Sequence, residues 1–134
     1  MGTEIVRADW LNGDRYLLRD RYEFPIVMTQ PMGVNGSDLL PLSVIGCAAW
    51  DIASILRKQR QSFTAMQVTA ESTREDDPPW RFLSIHIHYQ ISGDGLDAKQ
   101  VERAISLAED KYCSTFATLR QIVEITSEFS ILKV

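Results

Sequence analysis

The feature that most constrains the fold is a long apolar segment in a short chain. From Leu39 to Leu56 (LLPLSVIGCAAWDIASIL) polar residues are isolated and form no continuous stripe. A surface helix carries such a stripe at helical spacing, so this segment predicts a helix that is covered on nearly every side. A chain of 134 residues fits one ordinary domain. We therefore expect a single domain over residues 1–134 and a homodimer in which the second subunit helps to cover the helix.

Composition narrows the class of protein. The chain is 45% hydrophobic and 24% charged, with a formal net charge of −4, which is typical of a globular domain. A negative net charge argues against a nucleic-acid-binding surface, because phosphate binding needs a positive field. No basic and apolar leader opens the chain, and polar residues interrupt the apolar segment, so we expect a cytoplasmic protein with a buried core helix rather than a membrane span.

Periodicity predicts an α+β fold. The N-terminal third alternates as short strands around a turn at Asn12–Asp14. A loop ending in capping residues at Ser37 or Asp38 precedes a helix from about Leu39 to about Arg60. Two strands, a second helix that begins after Asp97 and a final strand follow. The resulting order, β-β-β-α-β-β-α-β, differs from the regular alternation of a parallel doubly wound sheet.

The two cysteines have two interpretations. Cys47 lies inside the apolar segment, and free cysteine is among the most buried residue types, so periodicity alone favours an inert core thiol. Cys113 lies where the second helix either kinks or restarts through Ser114, and a helix start is a place where a thiolate is stabilised. Without an export signal, two cysteines indicate a reducing compartment, where a disulfide is transient or catalytic.

Other kinds of site find little support. His86 and His88 are two residues apart on a predicted strand and so share one face, but a pair of sheet-face histidines explains them better than a metal site. The segment GVNGSD lacks the lysine of a phosphate-binding loop, and no Gly-x-Ser-x-Gly elbow occurs. We expect no metal site and no bound cofactor.

Two segments together resemble one protein family. The segment LLPLSVIGCAAWDIASILRKQRQ resembles the central helix of the OsmC/Ohr proteins (osmotically inducible and organic hydroperoxide resistance proteins), in which small residues flank a cysteine. VERAISLAEDKYCS resembles their second helix, which ends in the second cysteine, and IHIHYQISGDGLD between them also fits. The resemblance extends from about Trp10 to about Leu132.

This resemblance implies a thiol peroxidase that reduces organic hydroperoxides in an intertwined homodimer. Cys47 matches the peroxidatic cysteine and Cys113 the resolving one. Cys47 would form a sulfenic acid, Cys113 would condense with it to a disulfide, and an external dithiol, often a lipoyl group in the family, would reduce that bond.

Burial in the middle of a helix is expected to raise the pKa of Cys47, so the thiolate needs a cation. The family supplies an arginine from its N-terminal strands and an acid just before the central helix. The resemblance makes Arg15 the first choice for the arginine, with Arg19 and Arg21 as rivals, and Asp38 the choice for the acid.

The chain departs from the Ohr pattern at several positions. Ser37 stands where Ohr proteins have a glutamate, Ala48 where many members have threonine, and the CPY sequence after the second cysteine is absent. The leading function is a hydroperoxide reductase, because both cysteines stand at the positions of the family motif. The alternative is a non-catalytic or redox-sensing OsmC-like module that binds a small hydrophobic ligand at the dimer interface, and a purely structural dimer is a third reading. The hydroperoxide and the reductant are left open.

Overall fold

The order of elements follows the predicted α+β pattern. The computed structural model describes residues 2–134, and the chain divides into two compact units, residues 1–40 and residues 41–134. The prediction of one domain over the whole chain stays a prediction. The elements are β1 (Arg7–Asn12), β2 (Arg15–Arg19), β3 (Pro25–Thr29), a 3-10 turn (Gly36–Asp38), α1 (Leu39–Lys58), β4 (Ala65–Arg74), β5 (Phe82–Ser92), α2 (Ala98–Leu107), a π turn (Ala108–Tyr112), α3 (Ser114–Leu119) and β6 (Glu124–Leu132).

The N-terminal unit is an antiparallel meander in the order β1-β2-β3. Gly13, with φ of +47°, makes the turn between β1 and β2, as the Asn-Gly sequence predicts. Every residue of β1 is exposed, and Trp10 and Val27 keep 65% and 52% of their surface. The described residues thus leave apolar side chains of this sheet without cover.

A 3-10 turn at residues 36–38 runs directly into α1. Asn35 caps this turn, and its side-chain oxygen accepts hydrogen bonds from the amide (3.0 Å) and the hydroxyl (2.8 Å) of Ser37. The predicted helix is confirmed, and Lys58 ends it. A cap of α1 at Ser37 or Asp38 stays a prediction.

The C-terminal sheet has β5 at its centre, antiparallel to β4 and parallel to β6. From Ile85 to Ile91 one face of β5 is fully buried and the other face is polar and half-exposed, as strict alternation predicts, whereas Leu83 at the start of the strand is 40% exposed. The parallel pairing requires a long crossover connection, and α2 and α3 provide it. The buried hydrophobic side chains of this unit include Val44, Ala48, Ile52, Leu56, Ile85, Ile87, Tyr89, Ile91, Val101, Ala104, Ile105, Ala108, Phe116 and Val123.

Helix α1 buries one stripe and leaves another face uncovered. Val44, Ala48 and Ile52 recur every fourth residue and are fully buried, whereas Leu42 and Trp50 keep 49% and 78% of their surface. By length and hydropathy alone the segment Gly36–Lys58 would be able to cross a membrane. Its buried stripe is that of a core helix in a soluble fold, as predicted.

Candidate active site

Cys47 lies in the middle of α1 and is half-buried. Residues four apart on a helix lie one above the other, so the carboxylate of Asp51 borders the Cys47 thiol. The adjacent residues Gly46 and Ala48 are small. The thiol is therefore open on its helix and has an acid as its neighbour on the same face.

Cys113 lies where the second helical segment changes its winding. The amide of Cys113 donates to the carbonyl of Ala108 at 2.8 Å, five residues back, so the helix widens into the π turn before the cysteine. Cys113 itself is extended (ψ 108°), and α3 starts at the next residue. The amide of Phe116 then donates to the Cys113 sulfur at 3.4 Å. The helix thus both distorts and restarts, which places a buried thiol at the junction.

A buried hydrogen bond fixes this junction to the sheet. The hydroxyl of Tyr89, on β5, donates to the carboxylate of Glu109 in the π turn at 2.8 Å. Burial, reinforced by the charge and hydrogen bond of Glu109, raises the pKa of Tyr89 far above its ordinary value. The phenol therefore stays protonated and acts as a donor. Sequence analysis did not identify this pair, because its members are twenty residues apart.

The two thiols converge although they are distant in sequence. The sulfur atoms of Cys47 and Cys113 and a carboxylate oxygen of Asp51 all lie within 4.8 Å of one another. Both cysteines are free thiols in this structure. A disulfide needs an S–S distance of about 2.0 Å, so a modest movement of the side chains would join the sulfurs.

Thr115, in the first turn of α3, connects the two cysteine segments. Its hydroxyl lies 3.3 Å from the Cys113 sulfur and donates to the carbonyl of Ser43 on α1 at 3.3 Å. Its backbone amide and its hydroxyl also act to lower the pKa of the Cys47 thiol. Sequence reasoning missed Thr115; the available signal was a hydroxyl residue two positions after the second cysteine.

The two thiols differ in acidity. Burial is the largest effect on Cys47 and raises its pKa, but hydrogen bonds from Cys113 and Thr115 outweigh burial, so that the pKa is lowered overall; the Asp51 carboxylate acts against this decrease. For Cys113, burial and the hydrogen bond with Cys47 raise the pKa. The expectation of a raised Cys47 pKa is therefore correct for burial and wrong for the net effect. Cys47 ionises first, while Cys113 remains a thiol.

A cleft of about 250 Å³ lies within the C-terminal unit and has Asp51 in its wall. Neither cysteine lines it, and Asp51 is the residue that it shares with the group of the two sulfurs. The other lining residues are Ser54, Ile55, Lys58, Leu107 and Tyr112. The lining combines an apolar part with one basic and one acidic side chain, so it can take up a small organic molecule that carries polar groups.

The predicted arginine and acid lie in the N-terminal unit. Arg15 is the first residue of β2, and Asp38 ends the 3-10 turn. Arg19 donates to the carbonyl of Glu23 at 2.8 Å, and Arg21 forms an ion pair with Glu4. Among residues 2–134, the side chain of Arg15 has no hydrogen-bond or ion-pair partner. The roles of Arg15 and Asp38 at Cys47 stay predictions.

The two histidines lie on the polar face of β5 and interact with β6. His86 pairs with Thr126 (2.7 Å) and Glu128 (3.3 Å), and His88 pairs with Ser130 (3.0 Å). These contacts hold both histidine side chains on the polar face of the sheet, in agreement with their interpretation as sheet-face histidines.

Comparison with known proteins identifies relatives across nearly the whole chain. The model of the family described as OsmC-like protein matches residues 29–128. The protein YhfA of Escherichia coli is 30% identical over 130 residues, which is 95% of this chain and 97% of YhfA.

Solved structures share the fold. A hypothetical protein of Aquifex aeolicus superposes with a TM-score of 0.89 at 23% identity, covering 100% of this chain and 99% of that protein. An organic hydroperoxide resistance protein OsmC of Legionella pneumophila superposes with a TM-score of 0.69 at 17% identity, covering 97% and 98%. At these identities the likeness concerns the fold alone.

Proposed function

This chain belongs to the OsmC-like family, and on that premise we propose that it is a thiol-dependent peroxidase for organic hydroperoxides. The observation that carries the proposal is the convergence of Cys47 and Cys113, with sulfurs within 4.8 Å of each other and unequal pKa values. A redox role is what two adjacent thiols in this family suggest, and the difference in acidity assigns the first step to Cys47.

The reaction divides between the two cysteines. The Cys47 thiolate attacks the distal oxygen of the hydroperoxide, the O–O bond breaks, and the alkoxide leaves as an alcohol after taking up a proton. Cys47 is then a sulfenic acid. The Cys113 sulfur attacks it, water leaves, and a disulfide joins the two residues. An external dithiol, of the lipoyl type, restores both thiols by exchange.

The surroundings of the thiols support an organic substrate. The apolar part of the cleft, formed by Ile55, Leu107 and Tyr112, suits the hydrocarbon portion of a hydroperoxide, and Asp51, within 4.8 Å of both sulfurs, lies in the same lining. The Legionella relative is named for resistance to organic hydroperoxides. Arg15, whose side chain has no partner among residues 2–134, is the arginine we assign to the Cys47 thiolate, with Asp38 to orient it.

The working form is a homodimer in the cytoplasm. The exposed face of α1 includes Leu42 and Trp50, which keep 49% and 78% of their surface. Large exposed apolar side chains on one helix face are typical of a contact surface. A second copy of the chain is the partner that would cover it, as the apolar helix predicts.

A peroxide titration tests the activity. Stopped-flow mixing of the reduced protein with an alkyl hydroperoxide should give fast loss of peroxide, and mass spectrometry should find a Cys47–Cys113 disulfide. Cys47→Ser should lower the rate by at least about a thousandfold, since it removes the nucleophile. Cys113→Ser should still permit one oxidation event, which leaves Cys47 as a sulfenic acid, but no further turnover.

The alternative, a binding or redox-sensing module, makes the opposite prediction. The Asp51 carboxylate, which raises the Cys47 pKa, favours this alternative. Under it, wild-type protein and Cys47→Ser would remove peroxide equally slowly. Equal rates would refute the peroxidase, because the nucleophile would then contribute nothing.

A further inference from the structure

Asp51 is the part of the site that peroxide chemistry does not explain. One of its carboxylate oxygens lies within 4.8 Å of both sulfurs. A thiol that reacts as an anion gains from a nearby cation and loses from a nearby anion. The two thiols and the Asp51 carboxylate become negatively charged when they lose their protons. A cation between them would offset their mutual repulsion.

The geometry of the three groups fits a divalent metal ion. Zinc with Zn–S bonds of about 2.3 Å and a Zn–O bond of about 2.1 Å separates its donor atoms by roughly 3.5–3.8 Å. The two sulfurs and the oxygen already lie within 4.8 Å, so small side-chain rotations would complete the set. Two thiolates select zinc over magnesium or calcium, which prefer oxygen donors.

Access to the site is also compatible with a metal. Cys113 is buried, while Cys47 and Asp51 are half-buried, so one side of the triangle is open to solvent. Three protein donors leave a fourth tetrahedral position for water.

We propose that the reduced chain binds one zinc ion through the Cys47 sulfur, the Cys113 sulfur and the Asp51 carboxylate. Binding releases the two thiol protons to water, so affinity rises with pH. Zinc binding itself does not depend on the proposed peroxidase function.

Metal binding and redox chemistry at the two cysteines exclude each other. A sulfur that donates its electron pair to zinc is less available to attack a peroxide. Conversely, one hydroperoxide and two protons convert the two thiolates to a disulfide, an alcohol and water, and the disulfide sulfurs no longer hold the ion. The zinc form is therefore a protected state, which peroxide converts to a metal-free disulfide.

The test uses the full chain, reduced and freed of metal with a chelator. Zinc is titrated against a chromophoric zinc indicator, and cobalt is titrated separately for its spectrum. We expect one ion per chain, with a thiolate-to-cobalt charge-transfer band and the d–d bands of a tetrahedral site. Oxidation of the zinc form with diamide should release the ion to the indicator.

Asp51→Asn tests the third ligand. Loss of the carboxylate should weaken zinc binding by about tenfold or more. The matched control Asp94→Asn, which makes the same change of charge in an exposed turn, should leave zinc affinity unchanged. Asp51→Glu, which keeps the carboxylate, should bind zinc more tightly than Asp51→Asn, and circular dichroism confirms that each variant is folded.

Three results would overturn the metal site. These are a cobalt spectrum without thiolate bands, an affinity equal in Asp51→Asn and wild type, and undiminished binding in the Cys47→Ser/Cys113→Ser double variant. Zinc binding that behaves as expected in a chain without peroxide turnover would refute the peroxidase and leave the metal site standing.

Discussion

The hydrogen bond between Tyr89 and Glu109 should stabilise the fold by a measurable amount. Tyr89→Phe removes the hydroxyl that donates to the Glu109 carboxylate at 2.8 Å, and little else changes. Hydrogen bonds to charged groups contribute about 1.5–3 kcal/mol. Tyr89 is fully buried but Glu109 is half-buried, so water can partly replace the lost donor. We therefore expect a loss near the lower limit, about 1.5 kcal/mol.

The pH dependence of this loss is a sharper test than its size. Burial and Glu109 raise the pKa of Tyr89 in the folded state. The unfolded tyrosine ionises near pH 10 while the folded one does not, so the contribution of Tyr89 is fully present below about pH 10 and declines above it by about 1.4 kcal/mol per pH unit. Phenylalanine does not ionise, so Tyr89→Phe lacks this pH-dependent contribution to stability. The difference between wild type and variant should shrink from about 1.5 kcal/mol at pH 8 to nearly zero by about pH 11.

Urea denaturation of the reduced proteins at both pH values measures these differences. A loss of about 1.5 kcal/mol corresponds to a midpoint shift of about 0.5–1.5 M urea. The control Tyr112→Phe makes the same substitution on an exposed side chain of the π turn that Tyr89 contacts. Its free energy of unfolding should stay within about 0.5 kcal/mol of the wild type at either pH. If Tyr89→Phe is as stable as the wild type at pH 8, or if the difference is unchanged at pH 11, the proposed support of the π turn is wrong.

Two further predictions concern the thiols and the exposed helix face. Iodoacetamide at neutral pH should alkylate Cys47 before Cys113, because hydrogen bonds lower the pKa of Cys47 and burial raises that of Cys113. Thr115→Val should slow the alkylation of Cys47. Mass spectrometry of quenched samples measures both rates, and equal rates for the two cysteines would contradict the assigned pKa order. Trp50→Glu should weaken self-association in sedimentation velocity, since it places a charge on the apolar helix face at a residue that is 78% exposed in the monomer. The control Thr69→Glu, on the polar sheet face, should leave self-association unchanged. An unchanged dimer in Trp50→Glu would exclude that face as the contact.

Local periodicity predicted most of the fold. Residues that are neighbours in sequence determine the ends of α1, the alternation along β5 and the break at Cys113. The structure confirms these three features. The 3-10 turn before α1 was not predicted. A sequence pattern does not distinguish such a turn from the loop before it, and Asn35 caps the turn.

The surroundings of the site could not be predicted in the same way. Thr115 reaches Ser43 across 72 positions, and Tyr89 reaches Glu109 across 20. Such contacts depend on how helices pack on the sheet, and a single sequence carries no period that encodes them. The cysteines were recognised because their segments resemble a family, whereas Asp51 drew attention in the sequence only as an interruption of an apolar helix.

The acidity of Cys47 illustrates why a site cannot be assigned from its segments separately. Considered alone, the helix around Cys47 predicts a raised pKa, since burial and the Asp51 carboxylate both act in that direction. Cys113 and Thr115, both from the other segment, together reverse the outcome for Cys47, and the neighbouring Cys47 raises the pKa of Cys113. The order in which the thiols ionise is therefore a property of the pair. A variant that separates the two segments without changing either cysteine should abolish that order. Alkylation of Cys47 should then be slower, even though its own helix is intact.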